Sequence, residues 1–156
     1  MTIDGLYRKG YHDLARKIAA NHYAAVFEVW KNTGTFWEYY APEKIEPGFM
    51  ARKDFVGWTG LPPIAVFIEY ILGVKSDYSE GRIVWDIEHT EAHGIERYPY
   101  GPDGVVGLKV KRRASAGETP SVSVETNVPF DLTVTWGDGR SSTVQVEKSG
   151  SVKLNQ

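Results

Sequence analysis

A chain of 156 residues with 42% hydrophobic and 24% charged side chains has the size and composition of one ordinary globular domain or two small ones, and disorder is not the expectation. Its 18 Lys and Arg stand against 20 Asp and Glu, so a formal net charge of -2 gives no electrostatic reason to expect nucleic acid or an anionic membrane as partner. It contains no cysteine, which excludes disulfides and thiolate metal sites.

The opening "MTIDGLYRKGYHDLARK" lacks the apolar core of a secretory signal, so the chain as written is not expected to direct its own export. From about Asp4 to Lys31, Tyr11, Leu14, Ala15, Ile18, Ala19, His22, Ala25, Val26 and Val29 recur at three- and four-residue steps, the stripe of an amphipathic helix. "NTG" at 32 to 34 supplies its stop, with Gly34 free to adopt the left-handed conformation. Residues 35 to 59 read as an irregular loop. A second helix is expected from about Gly60 to Leu72, with Pro62 and Pro63 in its first turn and Gly73 just past its end.

That second helix is apolar nearly all round, through Leu61, Ile64, Val66, Phe67, Ile68, Ile71 and Leu72, and a helix of this kind is buried on most sides. It is too short and too interrupted to span a bilayer. One amphipathic partner helix cannot cover it, so the sequence implies further helices outside this chain.

After about Ser76 short alternating segments separated by turn residues take over. Strands are expected near Arg82–Glu88, Ile95–Tyr98, Val105–Arg112, Ser121–Glu125, Asp131–Trp136, Thr143–Glu147 and Ser151–Leu154. "WGDGRSST" at 136 to 143 reads as a tight hairpin connection, since Asp-Gly suits positive φ. The basic run "KVKRR", Lys109 to Arg113, reads as a solvated sheet edge. The expected class is α+β: a helical part, residues 1–75, and a β-rich, antiparallel, sandwich-like part, residues 76–156.

The stretch "GTFWEYYAPEKIEPGFMARKDFVGWTG", 34 to 60, carries the densest mixture of aromatic rings and carboxylates. Phe36, Trp37, Tyr39, Tyr40, Phe49, Phe55 and Trp58 offer flat apolar faces, and Glu38, Glu43, Glu46 and Asp54 offer acceptors. Sugars suit that combination, because their C–H faces stack on rings while their hydroxyls need polar partners. The competing structural reading is that the rings anchor a long loop to a helical core. Spacing alone does not separate Glu38 from Glu43 or Glu46.

"GTFWEYYAP", followed seventeen residues after Glu38 by "FVGWTGLPPIAVFIEYILGV", resembles the C-terminal catalytic segment of the glycoside hydrolases built on an (α/α)6 barrel. That group includes family 63 α-glucosidases, trehalases and mannosylglycerate hydrolase-like enzymes. Trp37, Glu38 and Tyr40 match its W-E-x-Y element, and Phe55, Gly57, Trp58 and Thr59 match its F-x-G-W-S/T element. Lys44, Ile45 and Glu46 depart from the threonine-glycine turn common in the group. The resemblance implies the last helices of an incomplete (α/α)6 toroid-type barrel followed by a β-sandwich-like domain.

It also implies a role for each matching residue. Glu38 would be the general base of an inverting glycosidase, and Trp37, Tyr40 and Trp58 would line the sugar pocket. The substrates implied are α-glucosides, trehalose-like or mannosyl compounds. The group's general acid is an aspartate far upstream, so this chain alone is expected to be inactive and to be the C-terminal part of a truncated or split enzyme. No cofactor or metal is implied. The expected partners are a carbohydrate and a separately encoded N-terminal half of the barrel.

Two rival readings are weighed beside it. The β-rich half, with Trp85, Tyr98, Tyr100 and Trp136, would bind carbohydrate without cleaving it if those rings lie in a row on one sheet face. His89 and His93, in "HTEAH", would pair on a metal if that segment were helical, although the order differs from H-E-x-x-H. His12 and His22 read as packing or surface residues.

Overall fold

The computed structural model describes residues 2–154, without the side chains of Leu61 and Pro62. The chain is mixed α+β and divides into two compact units, residues 1–71 and 72–156.

In the first unit, helix α1 spans Thr2–Arg8 and helix α2 spans His12–Thr33. The single helix expected from Asp4 is therefore broken. Gly10 takes φ 86, and the Tyr11 N–H turns back to the Leu6 carbonyl at 3.0 Å, closing α1 before α2 begins. Gly34 ends α2 as expected, with φ 75 and its N–H donating to the Trp30 carbonyl. The buried stripe is narrower than the apolar pattern: Ala15, Ala19, Val26 and Val29 are buried, while Tyr11, Leu14 and Ala25 are exposed.

Helix α3, Leu61–Val66, continues into a π-helical turn, Phe67–Ile71. Burial on most sides is not what this segment shows within its unit. Val66 and Tyr70 pack on Ala19 with Ile3, Tyr7 and Tyr23, whereas Ile64 is 62% exposed and Phe67 39%. The neighbouring helices α1 and α2 cover the Val66 and Tyr70 face, and Ile64 and Phe67 are left in solvent; the Leu61 side chain lies outside the described residues. Phe67 continues into a row of rings along α2, through Tyr23, Phe27, Trp30 and Phe36, with successive centroids 5.2, 6.2, 5.4 and 6.3 Å apart.

The second unit holds eight strands: β1 (Val74–Asp77), β2 (Arg82–Ile87), β3 (His93–Tyr100), β4 (Gly104–Val110), β5 (Val122–Thr126), β6 (Phe130–Trp136), β7 (Arg140–Val146) and β8 (Gly150–Val152). They form two four-stranded sheets, ordered β1-β2-β6-β7 and β3-β4-β5-β8. Strand β1 was not anticipated, because its four residues "VKSD" directly follow the α3 segment and are too few to show alternation. Pairing is antiparallel except between β2 and β6, which run parallel in register from Arg82↔Asp131 to Ile87↔Trp136. The inward faces alternate: Ile83, Trp85 and Ile87 on β2, Leu132, Val134 and Trp136 on β6, Val106 and Leu108 on β4, Val122 and Val124 on β5. The β6–β7 connection is the tight turn expected, with Gly139 at φ 83 just after Asp138.

Two sequence expectations are corrected here. Trp85, Tyr100 and Trp136 are buried rather than displayed on a sheet face, so the row of rings needed for sugar binding by the β-rich unit does not exist. "KVKRR" is solvated at Lys109, Lys111 and Arg112 but does not lie on a sheet edge. Lys109 sits on an interior strand, 2.8 Å from Glu96 on β3 and 3.7 Å from Glu125 on β5, and Arg113 is buried. Those opposite charges across the strands hold the Lys109 ammonium above its usual range, through the Glu96 hydrogen bond first.

Candidate functional site

The loop that follows α2 is organised by its own side chains. The Thr33 hydroxyl donates to the Val29 carbonyl at 2.8 Å and receives the Trp37 indole N–H at 3.0 Å, which ties Trp37 to the end of α2. The Trp37 backbone N–H donates to the Tyr40 hydroxyl oxygen at 3.1 Å. Beyond Tyr40 the chain doubles back: Ala41 N–H reaches the Glu46 carbonyl at 3.1 Å and Gly48 N–H the Tyr39 carbonyl at 2.9 Å. A side chain at Gly48 would enter the Tyr39 ring, so the absence of a Cβ permits this return.

Glu38 is half-buried where two distant pieces of sequence meet. The Thr59 hydroxyl donates to the Glu38 carbonyl oxygen. Gly57, at φ 49, presses its backbone on the carboxylate side chain: a Cβ there would lie 3.0 Å from Glu38 Cγ and 3.2 Å from Oε1. The turn Gly57–Gly60 thus closes on Glu38 at both its side chain and its carbonyl.

Glu38 and Tyr40 line a cleft of about 410 Å³ together with His22, Val26, Val29, Lys44 and Thr59. Glu38 is the one carboxylate lining it among the described residues. Glu43, Glu46 and Asp54 lie outside it on the surface, and Glu46 stands 3.7 Å from Lys44. Phe55, next to Asp54, is 45% exposed rather than packed in a core. Geometry therefore separates Glu38 from its neighbours where spacing could not.

Of the three residues that the resemblance assigned to the sugar pocket, only Tyr40 shares the cleft. Trp37 does not line it, since its indole is turned back on Thr33. Trp58 is 89% exposed and lines a neighbouring cavity of about 560 Å³. His22 lines both spaces, a position that the packing-or-surface reading missed. The available signal was its place on the Val26 and Val29 face of α2, one and two turns before them.

Burial lowers the His22 pKa below its ordinary value, so the imidazole is neutral at pH 7 and adds no cation to the cleft. The stability that follows from keeping it neutral is fully present above the ordinary histidine value near 6.5 and is lost as pH falls through the depressed one. Urea unfolding between pH 7.5 and 5 should therefore show a loss of stability toward acid that is smaller in His22→Gln. An identical slope in the two proteins would contradict the burial of this imidazole.

The metal reading fails on backbone grounds. His93 opens strand β3 and His89 lies in the preceding loop, so the pair is not on one helix face. Their rings meet edge to face at 5.9 Å, and His93 Nδ1 is 2.7 Å from the Glu91 carbonyl oxygen. No cluster of three or more potential metal ligands occurs among the described residues, and no described helix is long and apolar enough to cross a membrane.

No family model, curated protein or solved structure matches the chain.

Proposed function

We propose that the first unit is the C-terminal part of an inverting (α/α)6-barrel glycoside hydrolase, with Glu38 as general base. The observation that carries this reading is the clamp on Glu38: Gly57 and Thr59, from one recognised element, close on the glutamate of the other. In the proposed reaction the Glu38 carboxylate takes a proton from water, whose oxygen attacks the anomeric carbon. The glycosidic C–O bond breaks, and the departing oxygen receives its proton from the general acid. Inversion places the two carboxyl groups roughly 6.5–9.5 Å apart, leaving room for that water.

The acid has to come from another segment, because Glu38 is the sole carboxylate of the cleft among the described residues. The exposed faces of Ile64 and Phe67, and the aromatic row running to Phe36, support the same conclusion, since they offer apolar surface to further helices. The proposed partner is an N-terminal barrel half, encoded in frame or by a neighbouring gene, and the proposed substrates are α-glucosides, trehalose-like or mannosyl compounds.

The test starts with the DNA upstream of the Met1 codon. A coding segment for helices with an aspartate beside a tryptophan is expected, and co-expression with it should produce hydrolysis that this chain alone lacks. Glu38→Gln in that assembly should lower turnover by about 10²–10⁴-fold, the usual worth of general base catalysis. Absence of any such segment would reduce the chain to a non-catalytic remnant of the group.

A further inference from the structure

The cavity of about 560 Å³ beside the Glu38 cleft has its own chemistry. Its apolar lining is Ile3, Ile18, Ala65 and Val66, and Trp58 stands at it almost wholly in solvent. Its ionisable lining residues are Asp4, Glu69, Tyr70 and His22, with no lysine or arginine among the described lining residues. We infer that this cavity binds a small organic cation, an ammonium group on an apolar body of several carbons, with the body on Ile3, Ile18 and Val66 and the ammonium between Trp58 and the Glu69 carboxylate. The inference does not rest on the glycosidase reading, whose Glu38 cleft shares only His22 with this cavity among the described residues.

Each part of the lining selects for that class. An apolar floor takes hydrocarbon surface out of water, while a few polar groups at its edge fix orientation. Indole is the ring most favourable to a cation over its face, and Trp58 is 89% exposed at this cavity. An anion would meet two carboxylates of its own sign. A neutral ligand of the same shape would desolvate Glu69, which has no hydrogen bond or ion pair among the described residues, without compensating it.

The Arg8 guanidinium, 2.9 Å from Asp4, does not cancel the negative field. The Tyr70 hydroxyl, 3.4 Å from Asp4, has its pKa pushed up to about 12, first by burial and then by the charges of Asp4 and Glu69, with Arg8 the smallest influence. Burial alone would disfavour a charge of either sign, but the Asp4 and Glu69 contributions are those of negative charge beside the cavity.

The full chain at pH 7 and low salt is titrated calorimetrically with 2-phenylethylammonium, with 2-phenylethanol as its neutral analogue and 3-phenylpropionate as an anion. The ammonium should saturate, the alcohol should bind at least about tenfold more weakly, and the anion should give no heat of binding. Trp58→Leu and Glu69→Gln should each weaken the ammonium by about fivefold or more, with far-UV circular dichroism unchanged. Glu43→Gln, which removes an exposed carboxylate outside the cavity, should leave binding as it was. Equal binding of alcohol and ammonium, no effect of Glu69→Gln, or no binding of the ammonium would each overturn the assignment.

Discussion

Arg113→Met will cost about 3 kcal/mol of unfolding free energy, several times the effect of a typical surface substitution. Arg113 is 4% exposed, and its guanidinium donates to four carbonyl oxygens: Ala116 at 2.8 Å, Glu118 at 3.0 Å, Ile87 at 2.9 Å and His89 at 3.2 Å. It therefore joins the end of β2 to the loop after β4. Methionine fills comparable space but supplies no donor. Water can replace the guanidinium at the outer carbonyls, whereas the hydrogen bond to Ile87 is buried and its acceptor would lose this donor out of reach of solvent.

Each hydrogen bond from a charged donor is worth about 1.5–3 kcal/mol net, and four on one side chain are not additive, which places the sum near 3 rather than near 10. Arg113→Lys should recover less than half of the loss, because one ammonium cannot span both the β2 end and the loop. Burial pushes the guanidinium pKa down, against the pull of Glu118 and Glu88, yet a guanidinium remains charged in any folded protein. Urea denaturation of the three proteins measures all of this. A loss under about 1 kcal/mol in Arg113→Met would mean that water already serves these carbonyls.

The Arg113 cluster also illustrates what the sequence could and could not convey. Alternation located seven of the strands, because a buried face every second residue is written directly in the chain. The reading of "KVKRR" as a solvated edge failed at Arg113. A basic residue signals solvent only on average, and Arg113 is buried by carbonyls contributed from residues 87, 89, 116 and 118, whose convergence no local pattern encodes. The parallel pairing of β2 with β6 was hidden for the same reason: it joins segments separated by three other strands.

The candidate site divides in a similar way. Gly34 ended α2 where expected, but Gly10 broke the helix expected from Asp4, just before the first position of its apolar stripe, Tyr11. Glu38 and Tyr40 could be placed in one loop by spacing and resemblance. That Trp37 turns away, that Trp58 faces another cavity, and that His22 joins both spaces depend on side-chain directions set by tertiary contacts. Rings read from sequence as a single pocket are in fact shared among an anchor, a cleft and a separate cavity.

Gly73→Ala should prove still more disruptive than loss of Arg113, at about 4 kcal/mol, and a second glycine provides its internal control. Gly73 and Gly139 have the same φ of 83, so alanine at either position bears the same left-handed cost of roughly 1–2 kcal/mol. Around Gly139 nothing lies within 4 Å of an added Cβ, and the conformational cost should be the whole effect. At Gly73 the Cβ would lie 2.1 Å from the Asp86 carbonyl oxygen, a backbone atom of β2 that cannot swing aside.

Relief requires the start of β1 to move away from β2. That movement weakens the Asp86 N–H bond to the Gly73 carbonyl, 2.9 Å, and the bond from the buried Trp85 indole to the Leu72 carbonyl, 3.0 Å. The difference between the two alanine variants isolates this steric part, and chemical denaturation should put it near 2–3 kcal/mol. Equal losses at the two positions would show that β1 shifts freely and that the close approach of Gly73 to Asp86 is not what fixes this edge of the sheet.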